Sequence, residues 1–389
     1  MTETLIPGTQ AAGTSSKVGI IDMDVHPALN AFKPEVLQYL PAKWQDYVKE
    51  AGLLRGGNPG GERPRHREFA HRWDAVTPDG REPGSNQAFA AEQLLDRYGI
   101  SAAVLDDIGG FSVAGRGGQP VDLSIALCRA MNEARRDQWL AADPRWYAGM
   151  TLPYELPEAA AAEIRRCKTQ DGEYSDRWKV AMFAPNNMRP PGHPSYWPIY
   201  EACEEFGIPV GFHVLAGNRI TPSGAPDFYF EEHCTWAQFN FPIVASYVFE
   251  GVFERFPNLK VALLELGWSW AVPLAWRMDH AYRVMGREVP HLTKMPSEYI
   301  RDHFYYTTQP VEEPEKDEYS DEVLEAFTAS GMGEKLMFSS DYPHWDFDEP
   351  FHYLDLPDEQ LSRKILGGNA SALLGIDLLP DTGLERRVG

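Results

Sequence analysis

Two carboxylates and an imidazole stand close together near the beginning of the chain. Asp22, Asp24 and His26 are spaced two residues apart and end an apolar stretch that starts at Val18. Alternation along a strand places all three side chains on one face. An isolated buried charge is energetically expensive, so a compensating metal ion is one explanation of this spacing. A strand that runs out into a solvated loop is the other.

More ionisable side chains stand where later apolar stretches end or in the segments just beyond. Each one alone has an ordinary structural interpretation, because a histidine can be a hydrogen-bonded core residue and a carboxylate can cap a helix. Their recurrence at several such ends favours a metal site instead. The candidate ligands beyond the first stretch are His213, His233, Glu265, Asp341 and His344.

Eight apolar stretches of strand length alternate with segments of helical periodicity, and these elements must position the candidate ligands. The predicted strands are residues 18–27, 100–106, 146–153, 178–185, 208–213, 259–265, 304–308 and 335–340. The predicted helices are residues 88–98, 121–142, 157–168, 196–206, 242–255, 268–285 and 321–329. This alternation predicts an α/β fold, a (β/α)8 TIM barrel, with an open doubly wound sheet as the structural rival. In a barrel, the C-terminal ends of strands one, five, six and eight would bring the candidate ligands together.

The remaining segments are predicted to be accessory to one domain. Residues 1–17 are rich in Thr, Gly and Ser and form a disordered-looking tail. Residues 18–389 form a single domain, without a repeat or linker that would divide it. Residues 28–90 are rich in Pro, Gly and Arg and are predicted to be a long insertion after strand one.

Composition narrows the class of protein. The 389 residues carry a formal net charge of −21, which argues against binding to nucleic acid or to an anionic membrane. No apolar run approaches the roughly 18 residues of a membrane helix, and the N-terminal tail lacks the pattern of a signal peptide. The four cysteines are far apart and form no CxxC pair, which predicts reduced thiols. These features together predict a cytoplasmic protein.

Several motifs carry a family resemblance that extends over nearly the whole chain. They are residues 21–27 (IDMDVHP), 211–213 (GFH), 338–344 (FSSDYPH) and 365–375 (ILGGNASALLG). With these motifs the chain resembles the amidohydrolase superfamily, in the branch related to aminocarboxymuconate-semialdehyde decarboxylase. The resemblance implies a metal-dependent barrel enzyme whose last motif forms a C-terminal helix that closes the barrel.

Two positions differ from the usual pattern of that branch. The His-x-His of strand one is Asp24-x-His26 here, with an acidic residue as in some decarboxylases of the branch. At the end of strand six, where the decarboxylases usually have a catalytic histidine, this chain has Glu265.

The number of candidate ligands predicts two metal ions. One catalytic ion needs about three or four protein ligands, and a bridging carboxylate would let this larger set hold two. Oxygen and nitrogen donors suit iron first, with manganese or zinc as alternatives. Such a set resembles the dinuclear non-heme iron hydroxylases of the superfamily. The predicted metal ligands are Asp24, His26, His213, His233, Glu265, Asp341 and His344.

The main functional hypothesis is therefore a dinuclear iron monooxygenase that hydroxylates a C–H bond of a small molecule. Asp341, His233 and Glu265 are its predicted catalytic residues. Tryptophans near strand ends would wall an apolar pocket or serve in ordinary packing, and they are Trp268, Trp270, Trp276 and Trp345. The alternative is a zinc- or manganese-dependent hydrolase or non-oxidative decarboxylase of a small carboxylate, in which Asp341 moves a proton. A non-catalytic subunit is a third possibility. A homo-oligomer, or a hetero-oligomer with a paralogous subunit, is expected.

Overall fold

The computed structural model describes residues 17–50, 71–106, 108–114, 120–184, 188–214, 228–312, 322–354, 356–379 and 383–385. Eight parallel strands form one sheet in which each strand pairs with the next along the chain. These strands are β1 (Ile20–Val25), β2 (Ile100–Leu105), β3 (Trp146–Thr151), β4 (Trp178–Phe183), β5 (Val210–His213), β6 (Val261–Leu264), β7 (Phe304–Thr307) and β8 (Leu336–Met337).

Hydrogen bonds between the first and last strands close the sheet. The Met23 amide donates to the Phe338 carbonyl at 3.0 Å, and the Asp341 amide donates to the Asp24 carbonyl at 3.1 Å. Val25 and Tyr342 form a further parallel bridge. The predicted (β/α)8 barrel is confirmed, because an open sheet would leave these two edges apart.

The strands are apolar because both of their faces are buried, as in other parallel sheets. One face contributes to a cluster inside the barrel, to which Ile21, Met23 and Val104 belong. The other face packs against the surrounding helices in a much larger cluster. Strand β1 differs from the others because it buries two carboxylates, Asp22 and Asp24, completely. Its register with β2 is irregular between Asp22 and Val25, just where the polar residues occur.

Helices follow the strands and cover the outside of the barrel. Several begin with proline in the first turn, where its missing amide costs no hydrogen bond. The α-helices of the described residues from 71 onward are Gln87–Ala90, Ile108–Ala114, Val121–Arg135, Pro157–Gln170, Trp197–Phe206, Tyr229–His233, Asn240–Phe249, Val252–Arg255, Ala271–Met285, Pro296–His303, Glu322–Ala329, Phe351–Leu354, Glu359–Arg363 and Asn369–Leu374. Wider π-helical turns extend three of these helices, at Ala91–Asp96, Arg136–Leu140 and Lys364–Gly368.

The predicted elements agree with the observed ones in order and differ mainly at their ends. The eighth strand was expected over residues 335–340 but is only Leu336–Met337, because the chain beyond it turns to form the site. Helices Ile108–Ala114 and Pro296–His303 were not predicted. Each is short, and Ile108–Ala114 contains two glycines that weaken its helical signal.

The described parts of the insertion after β1 pack against the barrel. Helices Pro34–Leu37 and Ala42–Glu50 lie in its first half, and residues 51–70 are outside the described residues. The insertion returns at His71, which forms an antiparallel bridge with His344 beyond β8. The insertion therefore reaches the C-terminal end of the barrel.

The C-terminal segment packs at the beginning of the strands. Ala370 and Leu373 of helix Asn369–Leu374 belong to the cluster inside the barrel. A small antiparallel pair, Lys17–Val18 with Leu384–Glu385, lies beside it. Residues 1–16, most of the predicted tail, are outside the described residues.

All four cysteines are free thiols, and three of them are buried. In the described part of the chain, no helix combines the length and the apolar character needed to span a bilayer.

Candidate metal centre

The candidate ligands meet at the C-terminal end of the barrel, as the sequence predicts. Asp24 belongs to β1 itself, and His213 is the last residue of β5. His233 ends the short helix Tyr229–His233 rather than a strand. The remaining four, which follow the ends of strands β1, β6 and β8, are His26, Glu265, Asp341 and His344.

The deepest group contains Asp24, His26, His213 and Glu265, whose ligand atoms all lie within 4.8 Å of one another. The two oxygens of Asp24 each lie 3.3 Å from an imidazole, Oδ1 from His26 Nε2 and Oδ2 from His213 Nε2. Glu265 Oε2 is 3.0 Å from the same His213 nitrogen. Four side chains from three strands thus converge on one small volume.

This group fits a divalent cation, because its carboxylate oxygens and imidazole nitrogens face one another across a small buried volume. Both Asp24 oxygens and the Nε2 atoms of His26 and His213 are buried and make no well-formed hydrogen bond within the described residues. Buried polar atoms without such partners are rare in native proteins and call for an explanation. Two carboxylates and two neutral imidazoles are a suitable ligand set for manganese, iron or zinc.

The outer nitrogens of the two histidines are held by backbone carbonyls. His26 Nδ1 lies 3.1 Å from the Asp106 carbonyl oxygen, at the end of β2. His213 Nδ1 lies 2.5 Å from the carbonyl oxygen of Val214. A proton on each Nδ1 leaves Nε2 as the metal-binding atom, which is the usual outer arrangement of ligating histidines.

A second group lies next to the first and overlaps with it. Asp341 Oδ1 is 2.8 Å from His26 Nε2 and 2.5 Å from His344 Nδ1. The His26 and His344 rings stack with their centroids 4.6 Å apart. Together with Glu265, these residues form another set of close ligand atoms. Asp341 therefore connects the buried centre to His344, which is 17% exposed.

A third group lies further out and contains a residue that the sequence analysis did not propose. His233 Nε2 is 2.7 Å from Asp346 Oδ2, and Glu265 completes the group. Gln309, fully buried beyond β7, donates through Nε2 to Asp346 Oδ2 at 2.8 Å and to Asp341 Oδ2 at 3.2 Å. Asp346 follows Asp341 and His344 in one short segment, and that spacing was the available signal. Nothing in the sequence around Gln309 predicts that its side chain takes part in the site.

The backbone at two of the ligands has an unusual conformation. Glu265 and Asp341 have φ values of 52° and 58°, and no other described residue except glycine has a positive φ. Such conformations cost roughly 1–3 kcal/mol each and cluster at functional sites. The Glu265 amide donates to Thr307 Oγ1 at 3.0 Å, which helps to hold the turn after β6.

The turn that carries Glu265 also depends on Gly267. Its φ is 69°, and an added Cβ would collide with the carboxylate of Glu312. That carboxylate accepts hydrogen bonds from the Trp268 and Ser269 amides, at 2.7 and 2.6 Å. Gly267 therefore allows Glu312 to reach the start of the next helix and fix the turn.

Asp22 supports the centre without joining any of the three groups. Its Oδ1 accepts hydrogen bonds from the Asp24 amide at 3.1 Å and from the Ser340 amide at 3.0 Å. Asp22 thus ties β1 to the segment after β8, where the barrel closes. The register irregularity in β1 separates it from the face that it was expected to share with Asp24.

Burial and neighbouring charges shift the pKa values of the central group in different directions. Burial alone would raise the pKa of Asp24, but His26 and His213 outweigh it and hold this pKa below its ordinary value. Burial lowers the pKa of His26 to about 4. Burial also raises the pKa of Glu265 to about 7. For Asp341, burial and the charges of Glu265 and Asp346 raise the pKa well above its ordinary value. Without a bound cation, these shifts favour a protonated Asp341 and bring the pKa of Glu265 close to neutral pH.

Aromatic side chains line the outer edge of the centre. Trp345 is 40% exposed and contacts the rings of His233 and Phe230, at centroid distances of 5.3 and 5.6 Å. The other expected tryptophans lie elsewhere, since Trp268 packs against Phe327, Trp270 packs against Tyr306, and Trp276 is exposed on its helix. Of the tryptophans that were expected to wall a pocket, Trp345 is the one that lies at the site.

Comparison with known proteins agrees with this geometry. The family model described as amidohydrolase matches residues 21–376. A 2-amino-3-carboxymuconate-6-semialdehyde decarboxylase from Dictyostelium discoideum is 26% identical over 297 residues, covering 73% of this chain and 76% of the relative. A gamma-resorcylate decarboxylase from Polaromonas sp. (strain JS666 / ATCC BAA-500) is 25% identical over 310 residues, covering 73% and 86%.

A solved structure shares the fold. It is a dihydroxybenzoic acid decarboxylase from Polaromonas sp. JS666, determined with bound manganese and the inhibitor 2-nitroresorcinol. Its TM-score is 0.61 at 19% identity, with 92% of this chain and 97% of that chain covered. These comparisons support a metal-dependent enzyme on an amidohydrolase barrel.

Proposed function

The chain belongs to the amidohydrolase family, and from that premise we propose that it is a divalent-metal-dependent, non-oxidative decarboxylase of a small unsaturated or aromatic carboxylate. The observation that carries the proposal is the buried group of Asp24, His26, His213 and Glu265, in which the Asp24 oxygens and both histidine Nε2 atoms make no well-formed hydrogen bond within the described residues. The two curated relatives, both decarboxylases, support the same reaction class. Manganese is the first metal to test, because a fold relative binds it.

Four residues would hold the cation in this proposal. Asp24, His26, His213 and Glu265 supply two carboxylates and two imidazoles at the bottom of the site. A bound divalent cation supplies positive charge that attracts an anionic substrate and stabilises negative charge that develops as a carboxylate leaves. The surrounding protein excludes water, since all four side chains are at most 5% exposed.

Asp341 is the proposed proton donor. Decarboxylation breaks the bond between the carboxylate and the substrate carbon, releases carbon dioxide and leaves the electron pair on that carbon, which takes up a proton. Asp341 is buried and holds a proton because its pKa is raised well above the ordinary value. His344 Nδ1, 2.5 Å from Asp341 Oδ1, would return a proton from the more exposed side.

Glu265 distinguishes this proposal from the usual site of the branch. A glutamate where the decarboxylases usually have histidine adds a negative charge beside the cation. Asp341, rather than a residue after β6, then has the proton-donating role. Trp345 and Phe230, in contact at the mouth, would pack against the apolar part of the substrate.

The decisive experiment is an assay of carbon dioxide release without oxygen. The enzyme is stripped of metal, loaded with Mn²⁺ and incubated anaerobically with a panel of hydroxybenzoates, beginning with gamma-resorcylate. We expect stoichiometric carbon dioxide and the decarboxylated product, and loss of both in Asp341→Asn at unchanged metal content. Turnover of a panel compound only with oxygen and a reductant would contradict the proposal.

A dinuclear monooxygenase remains a second candidate, because the groups around Glu265 offer more donors than one ion needs. That reaction converts R–H, dioxygen, two electrons and two protons into R–OH and water. Iron would be its metal. Iron-loaded enzyme that consumes dioxygen only when both reductant and substrate are present would favour this candidate over decarboxylation.

A further inference from the structure

The turn after β6 needs outside support, because two of its residues have positive φ values, Glu265 at 52° and Gly267 at 69°. Leu266 lies between them, and its carbonyl oxygen accepts two side-chain hydrogen bonds. Asn240 Nδ2 donates to it at 2.6 Å, and Trp270 Nε1 donates at 3.0 Å. A residue other than glycine keeps a positive φ only where the surrounding structure over-determines it. The two donors therefore help to hold Glu265 in this conformation.

Asn240 is a buried amide whose hydrogen bonds are directed at this turn. It is the first residue of helix Asn240–Phe249 and is completely buried, while the other buried residues of that helix are aliphatic or aromatic. Its Nδ2 has a second acceptor, the Ala237 carbonyl oxygen at 3.3 Å. Its Oδ1 makes no hydrogen bond within the described residues. Burial of this amide is thus compensated through its donors, which only the NH2 group can supply.

The backbone around Glu265 is held on both sides. On the N-terminal side, the Glu265 amide donates to Thr307 Oγ1 at 3.0 Å. On the C-terminal side, the Leu266 carbonyl is held by Asn240. The carboxylate of Glu265 then lies with Oε2 3.0 Å from His213 Nε2 in the deepest group. The place of this carboxylate in the group therefore depends on the position of the turn.

We propose that Asn240 is a positioning residue for the metal centre, which acts through the Leu266 carbonyl to hold the Glu265 carboxylate beside His213. Asn240 itself does not contact the cation. Without the amide, the turn would be free to relax from its positive φ values, and the carboxylate would move relative to His213. The inference rests on the deep metal site of the proposed function and is independent of the reaction that the site catalyses.

Binding of Mn²⁺ by Asn240→Ala tests this role. We expect the affinity, measured by isothermal titration calorimetry on metal-free protein, to fall about 10–100-fold, the usual loss when an outer partner of a metal ligand is removed. Asn369→Ala is the matched control, because the buried Asn369 also donates through Nδ2 to two backbone carbonyls. They are those of Gly333 at 3.2 Å and Leu336 at 2.7 Å, at the opposite end of the barrel. The control should bind Mn²⁺ like the wild type.

Electron paramagnetic resonance of Mn²⁺-saturated protein separates a displaced ligand from a weakened fold. At saturation, the zero-field splitting of the bound ion reports the arrangement of its ligands rather than the affinity. We expect an altered splitting in Asn240→Ala and the wild-type splitting in Asn369→Ala. Trp270→Phe removes the other donor to the Leu266 carbonyl and should change affinity and splitting less. It takes the place of Asn240→Ala if that variant does not fold.

Unchanged affinity and splitting in the folded variant, whether Asn240→Ala or Trp270→Phe, would overturn the inference. Equal losses of affinity in Asn240→Ala and Asn369→Ala would also overturn it, because the effect would then follow from general destabilisation. Wild-type protein that binds no Mn²⁺ would remove both the proposed metal site and this role of Asn240. If the expected metal results are obtained but no carbon dioxide is released, only the proposed reaction is removed.

Discussion

At the scale of single residues, Asp24 is the centre of the site. It is completely buried, and its two oxygens face two different imidazoles at 3.3 Å each. No other side chain of the deepest group contacts both histidines through separate atoms. A cation placed among these residues would depend on this carboxylate for charge and position.

We predict that Asp24→Ala weakens Mn²⁺ binding at the deep site by at least about 100-fold, because even outer partners of metal ligands contribute 10–100-fold. Isothermal titration calorimetry on metal-free protein measures the effect. Asp46→Asn, an exposed carboxylate on helix Ala42–Glu50, is the control and should bind like the wild type. Equal affinity in Asp24→Ala would remove Asp24 from the ligand set.

The affinity for Mn²⁺ should rise with pH. Burial raises the pKa of Glu265 to about 7 in the metal-free centre. His213 is also protonated there, because Asp24 and Asp106 raise its pKa well above the ordinary value despite burial. A cation must displace these protons. The affinity for Mn²⁺ is therefore lower below the pKa of Glu265 than above it.

Calorimetry between about pH 6 and about pH 8 tests the predicted direction of this pH dependence, since metal binding to protonated ligands releases protons. We expect tighter binding at the higher pH and a measurable proton release at the lower one. Glu265→Gln should reduce the pH dependence. Affinity that is constant over this range would contradict the assigned protonation.

The sequence identified the inner residues of the site but not all of the outer ones. Asp24, His26 and His213 could be predicted because each ends an apolar strand, and a barrel brings such ends together. Asp346 lies in a loop whose path no periodicity reveals, and Gln309 is an uncharged residue after a strand. Their roles depend on how the loops after β7 and β8 fold over each other, which is a property of tertiary packing.

At the scale of elements, a buried charged network fixes the start of β4 against the helix before it. Asp171, at the end of helix Pro157–Gln170, accepts from Arg166 at 2.8 Å and from Trp178 Nε1 at 2.8 Å. Arg136 contributes a further contact at 3.1 Å. Removing the shared carboxylate would leave Arg166 buried without one of its main partners.

We predict that Asp171→Ala lowers the free energy of unfolding by about 1–3 kcal/mol, because buried donors of Arg166 and Trp178 lose their acceptor while Arg166 stays paired with Glu163. The midpoint of urea denaturation measures this change. Glu173→Gln, an exposed carboxylate in the following turn, should change the midpoint little. A similar midpoint for Asp171→Ala and the wild type would show that the network does not stabilise β4.

Strand order was predictable from the sequence, whereas element ends were not. The alternation of apolar stretches with helical segments is a property of local sequence, and it identified all eight strands. The eighth strand was expected over residues 335–340, but β8 is only Leu336–Met337, and Asp341, just beyond the expected end, has a φ of 58°. This conformation occurs where the chain after β8 closes against β1. No local sequence pattern predicts that contact, because it joins distant parts of the chain.

At the scale of the whole molecule, metal binding and folding should be coupled. The ligands come from β1, β5 and the turn after β6, which are far apart in the unfolded chain. A cation that binds only the native state therefore stabilises the entire barrel. The formal net charge of −21 also favours the approach of a cation to the protein.

We predict that saturating Mn²⁺ raises the unfolding temperature, with about 2.7 kcal/mol of stabilisation at a free concentration 100 times the Kd. Differential scanning calorimetry with and without the metal measures the shift. The shift should be largely lost in Asp24→Ala and retained in Asp46→Asn. A shift of equal size in both variants would mean that the stabilising ion binds elsewhere.

Anomalous diffraction from Mn²⁺-loaded crystals tests the central claim most directly. The account predicts an anomalous peak at the C-terminal end of the barrel, within bonding distance of Asp24, His26, His213 and Glu265. Crystals that contain stoichiometric manganese but show no peak among these four residues would contradict it.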